Sequence, residues 1–150
     1  MAIQTTYSEN IRTGVAGHIP DMTQADIISR TVEASAGLGF GIGVVQGTLD
    51  KAVRAIASSG DVAADFVGVT VLDRSVAAGT DKYAQYDSAA ILKKGPILVV
   101  ASVAVVAGDA VALTAAGAWA KVAGTDGIVV PNARWDTSAG IGEIAQIFIK

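Results

Sequence analysis

The segment from Gly95 to Ala120 constrains the fold most. It carries a single charge, Asp109, and consists mainly of Val, Ile, Leu and Ala with turn residues spaced through it. At period two, Ile97, Val99, Ala101, Val103 and Val105 form one face of a strand, and Leu98, Val100, Ser102, Ala104 and Val106 the other. A strand with one wet face alternates apolar and polar residues. Here both faces are apolar, so both need cover: one from the chain's own core, the other from another chain. That pattern points to assembly rather than catalysis. The unbroken apolar run Ile97–Ala107 is far shorter than the roughly 20 residues of a membrane helix. It ends at the turn signal Gly108-Asp109, so it reads as a buried strand.

The rest of the composition agrees. At 150 residues the chain is long enough for one domain with a real core. It is 51% hydrophobic and only 17% charged, against roughly 25% charged in an ordinary soluble domain. A surface so short of charge is suited to being partly interface. Net charge is −3, and no basic cluster exceeds Lys93-Lys94, so nucleic acid is not an expected partner. There is no cysteine, hence no disulfide framework and no thiolate metal site. The opening Met1-Ala-Ile-Gln-Thr-Thr-Tyr lacks the basic and apolar regions of a secretory signal, and synthesis in a cytoplasm is expected.

Turn signals recur every 8–12 residues or so between β-prone runs, which predicts an all-β fold: a compact β-barrel or jelly-roll-like sandwich. Expected strands are Ile28–Ala34, Ala52–Ala57, Phe66–Leu72, Tyr86–Lys93, Ile97–Val106, Ala110–Thr114, Ala118–Val122, Val129–Trp135 and Glu143–Ile149. Lys94-Gly-Pro96 is expected to separate two of them. Turns are expected at Ser58–Asp61 and Thr125–Gly127. The run Gly37–Gly47, with glycine at every second position up to Gly43, predicts a strand with a glycine face that another backbone or a large side chain approaches closely. Residues 1–36 are polar and interrupted, yet contain Tyr7, Ile11, Ile19 and Met22; they read as an extended N-terminal arm to a core at 37–150. Asp21 is expected to cap one helical turn through Asp26, and Asp61–Asp65 to form another.

Chemistry is sparse. His18 is the single histidine, and it lies in the arm, a poor place for a precisely held base. The glycine run lacks both Gly-x-Gly-x-x-Gly and a following Gly-Lys-Ser/Thr, which argues against a phosphate loop. Asp61/Asp65 and Asp81/Asp87 read as turn acids rather than acid–base pairs. Asp73-Arg74 and Asp81-Lys82 read as ion pairs. No catalytic residue, cofactor or metal site is expected. Candidate contact residues are Lys82, Tyr83 and Tyr86, at a loop-to-strand junction, and Arg134 and Trp135. The tyrosines serve equally well to close a barrel end, and Trp135 could pack in the core with Arg134 paired to Asp136.

The motifs Gln4-Thr-Thr-Tyr7, Gly39-Phe-Gly41, Phe66-Val-Gly-Val-Thr70, Asp81-Lys-Tyr83, Gly95-Pro-Ile97, Ala107-Gly-Asp-Ala-Val111 and Ala133-Arg-Trp-Asp-Thr-Ser138 occur in the order found in tailed-phage structural cement proteins. The chain resembles that Gp24-like family of capsid decoration proteins over nearly its whole length. The resemblance implies a non-enzymatic virion protein on the outer capsid surface. Its partners would be the major capsid protein and other copies of itself, as a homotrimer or a dimer. The arm residues Tyr7, Ile11, Ile19 and Met22, with Lys82, Tyr83, Tyr86, Arg134 and Trp135, are the candidates for the capsid or subunit interface. A head–tail connector or tail-tube module, or a soluble β-barrel binding module, are the competing readings.

Overall fold

A computed structural model describes residues 14–57, 60–76, 79–122, 124 and 127–150. The all-β expectation holds. Eleven strands follow in chain order: β1 (Asp26–Val32), β2 (Leu38–Gly39), β3 (Gly43–Gln46), β4 (Ala52–Ala55), β5 (Phe66–Thr70), β6 (Lys82–Tyr83), β7 (Ser88–Val100), β8 (Ala110–Leu113), β9 (Trp119–Ala120), β10 (Ile128–Trp135) and β11 (Ile144–Ile149). A 3-10 turn at Ala63–Asp65 precedes β5. Nine strands are hydrogen-bonded in the order β1-β4-β3-β5-β7-β11-β10-β8-β9, two sheets that share β7, and β1 also pairs with β7. That extra pairing closes β1, β4, β3, β5 and β7 into a five-stranded barrel. On the other side an isolated bridge between Ala101 and Trp119 brings β9 back to the end of β7.

The strand β7 organises the molecule. Its 13 residues span about 43 Å at about 3.3 Å per residue, enough to serve two sheets in succession. Ser88–Lys94 pair with β1, and Gly95–Val100 pair with β11. The expected break at Lys94-Gly-Pro96 is therefore not a turn. Gly95 adopts φ +122°, a bend that lets the strand change sheets without ending. Pro96 is tolerated for a reason of period. Leu98, two residues on, sends its N–H to His18 rather than to β11. Pro96 shares that side of the strand, so its missing N–H is not one the β11 ladder uses.

The glycine run is corrected as well. It is not one strand: Gly37 (φ +76°) closes a turn ahead of β2, and Gly41 (φ +70°) lies in the turn between β2 and β3, both in the left-handed conformation. The buried Thr70 clamps the latter turn. Its hydroxyl donates to the Gly39 carbonyl at 2.7 Å and accepts the Ile42 N–H at 2.8 Å. The expected close approach is present: a Cβ on Gly41 would lie 2.8 Å from the Gly17 nitrogen, and one on Gly43 would collide with Leu113. Asp21 makes no helical turn; its carboxylate accepts the Thr23 N–H at 2.9 Å in a local bend. The turn expectations at Ser58–Asp61 and Thr125–Gly127 fall partly outside the described residues.

β1 is one of the five strands that form the wall of the closed barrel, so that part of residues 1–36 belongs to the body. Residues ahead of it are also tied down. The Gly17 N–H donates to Leu98 at 2.7 Å, the Leu98 N–H to His18 at 3.0 Å, and the Leu72 N–H to Gly17 at 2.8 Å. Ile19 and Ala25 pack on the main core. Leu98, expected to await another chain, is covered within this one: a Cβ on Gly14 would lie 2.7 Å from its Cδ1. On the same alternate face, Val100, Ala104 and Val106 stay exposed.

Candidate docking surface

The expected contact residues separate into groups. Tyr7 and Ile11 lie outside the described residues. Tyr83 is buried; its hydroxyl donates to the Val71 carbonyl at 2.7 Å and its ring meets Phe40 edge-on at 5.4 Å. Burial pushes that hydroxyl's pKa up. Trp135 is fully buried, with its indole N–H directed at the Ala120 carbonyl at 3.4 Å. Both are core residues, in separate clusters of buried side chains, and hold the surface in place. Arg134 is exposed and pairs with Asp136 at 3.5 Å. Lys82 Nζ donates to the Ala36 carbonyl at 2.8 Å, not to Asp81. Ile19 is half-buried, while Met22 and Tyr86 are fully or largely exposed.

Four of the carboxylates singled out in the sequence, Asp61, Asp65, Asp73 and Asp87, hold local structure. Arg54 grips Asp61 through both guanidinium nitrogens, and Asp61 also accepts the Ala57 N–H at 3.1 Å. The paired arginine holds the Asp61 carboxyl below the usual carboxylate range. Asp65 and Asp87 accept the N–H groups of Val62 and Ala84, and Asp73 that of Ser75. Among the described residues no three metal-ligating side chains cluster.

A groove of about 330 Å³ opens where the closed barrel meets the second sheet. Phe40, Ile42, Val100, Trp119 and Ile141 supply most of its wall. Its two polar side chains are engaged internally: Trp119 Nε1 donates to the Gly41 carbonyl at 2.8 Å, and the Ser102 hydroxyl to the Trp119 carbonyl at 2.6 Å. The groove therefore offers apolar surface. Ile141, 76% exposed, stands on its rim. Sequence reading missed Phe40 and Ile141 as contact candidates. The signal for Ile141 was present: a large apolar residue between Gly140 and Gly142, in a turn where burial is not available.

The chain matches the structural cement protein family (E217 gp24/Pam3 gp6) over residues 3–150. It belongs to this family of phage structural proteins. Its role is therefore structural and capsid-associated, its place the virion, and its partners capsid proteins. A chain from the capsid of Myoviridae phage XM1 has the same fold, with a TM-score of 0.76 at 15% identity, covering 100% of this chain and 98% of that one. Among curated proteins none matches.

Proposed function

We propose that this cement protein binds the outside of the major capsid shell across capsomer seams, as a homotrimer, and stabilises the expanded head. The observation that carries the reading is family membership over residues 3–150. The physics supports it. Internal pressure strains the seams of a filled head, and a protein bound across a seam holds the expanded lattice by its binding energy there. Many copies of a modest contact add up. Such a protein needs a rigid body, which two sheets sharing β7 provide, and apolar surface to meet its neighbours. The groove with Ile141 on its rim is the surface proposed to meet the shell. Residues 1–13, which carry Tyr7 and Ile11, are proposed to reach adjacent subunits. Binding to expanded, undecorated capsids, with unexpanded proheads alongside, tests the reading. Saturable binding to expanded shells, with raised heat resistance of the heads, is expected. Absence of binding to both overturns it.

A further inference from the structure

The 3-10 turn Val62–Asp65 closes with a reciprocal pair of hydrogen bonds between its first and fourth residues, its third residue in the ordinary conformation; three further turns share that closure. In Ala84–Asp87, Val106–Asp109 and Gly140–Glu143, the fourth residue donates its N–H to the first residue's carbonyl, at 3.2, 3.0 and 3.3 Å. The same residue's carboxylate accepts the first residue's N–H, at 2.9, 3.0 and 2.7 Å. Each acid immediately precedes a strand: β7, β8 and β11. The third position is left-handed in all three. Gly108 has φ +97° and Gly142 φ +78°, as that conformation favours. The Ala84–Asp87 turn instead holds Tyr86 at φ +68°, where a bulky side chain is a genuine outlier.

Nothing among the described residues accounts for a tyrosine there. Its side chain is 72% exposed, and its hydroxyl has no partner among the described residues. The contact it makes, a backbone N–H to the Val32 carbonyl at 2.8 Å, would be made equally by glycine. Strain kept at an exposed residue without an internal return points to an external contact. Ala84, Asp87 and Ser88 around it are exposed and small or polar. Among the described residues these sequence neighbours give the ring no apolar surround, so it suits insertion into a socket on a different surface.

We infer that Tyr86 is a docking anchor whose ring inserts into an apolar socket on the capsid shell. The inference rests on the capsid-binding reading above. The Tyr86→Gly variant tests it, because folding and docking then move in opposite directions. Relief of the left-handed strain leaves the melting temperature at or above wild type, with a rise of about 3 °C expected. Affinity for expanded capsids falls at least about tenfold. Tyr86→Asn, which also tolerates this conformation, loses binding equally and so excludes loop loosening as the cause. Binding within twofold of wild type overturns the anchor, as does a lower melting temperature, which would make Tyr86 a folding residue. A variant that binds shells normally but shifts its sedimentation to a smaller species overturns it in favour of a second copy as partner. Wild-type protein in the same assay reports on the capsid reading itself: wild type that binds no shell removes that reading, whereas wild-type binding beside an unchanged variant removes Tyr86 alone.

Discussion

Acidic side chains in this protein mostly hold backbone. Asp21, Glu33, Asp61 and Asp73 each accept a main-chain N–H, from Thr23, Thr48, Ala57 and Ser75. The hydroxyls of Thr23, Thr48 and Ser75 and the Arg54 guanidinium, together with those backbone bonds, lower the pKa of all four. A carboxylate whose pKa is depressed by folding stabilises fully above its unfolded value and loses that contribution as pH falls through its folded value. The melting temperature should therefore be level from neutral pH to about pH 5 and decline below about pH 4, in the range where free Asp and Glu titrate. Asp61→Asn should lower stability by about 2 kcal/mol at neutral pH and flatten the acid decline; urea unfolding at pH 7 and pH 3 measures both. Glycines separate by surroundings. Gly41→Ala meets the Gly17 backbone, so it should cost more than about 2 kcal/mol. A Cβ on Gly108 meets nothing within 4 Å, so Gly108→Ala should cost about 1 kcal/mol, the left-handed penalty alone. Equal losses in thermal unfolding would contradict this. The turn acids were legible as turn acids, but their shared four-residue closure was not. It rests on where the first residue's N–H points, which spacing does not show.

At the scale of elements, most strands were legible because Val- and Ile-rich runs alternate with Gly and Asp turn signals. Two readings failed for definite reasons. Gly95-Pro96 signals a turn, yet β7 runs through it, because the bend changes sheets and the proline lacks a donor the ladder does not use. The alternating glycines of Gly37–Gly43 suggest one strand, but Gly37 and Gly41 use their left-handed freedom to make turns on either side of β2. Residues 14–25 read as arm because they have no period; three backbone hydrogen bonds and the cover over Leu98 bind them to the body instead. Deleting all residues before Ile27 should thus destabilise the fold by about 4 kcal/mol, from about 1 kcal/mol per lost hydrogen bond and partial exposure of Leu98. A fall in the urea midpoint is the expected sign. An unchanged midpoint would return residues 14–25 to the arm.

Across the whole molecule, β7 joins a closed five-stranded barrel to a second wrapped sheet, and the apolar groove lies at their junction. Such a groove is formed by Phe40, Val100 and Ile141 from distant parts of the chain, so sequence spacing could not reveal it. The excess of apolar residues did announce surface of this kind, although the chain covers Leu98 itself. Ile141→Asp places a charge on the exposed rim. It should change stability by less than about 0.5 kcal/mol and weaken capsid binding at least about tenfold; normal binding would free the groove from the interface. The most direct measurement is an electron cryo-microscopy map of expanded heads decorated with this protein. The account predicts density on the outer surface over capsomer seams, in threefold clusters, with the groove and Tyr86 facing the shell. Density confined to the interior or to the portal vertex, or a groove and Tyr86 turned to solvent, would contradict it.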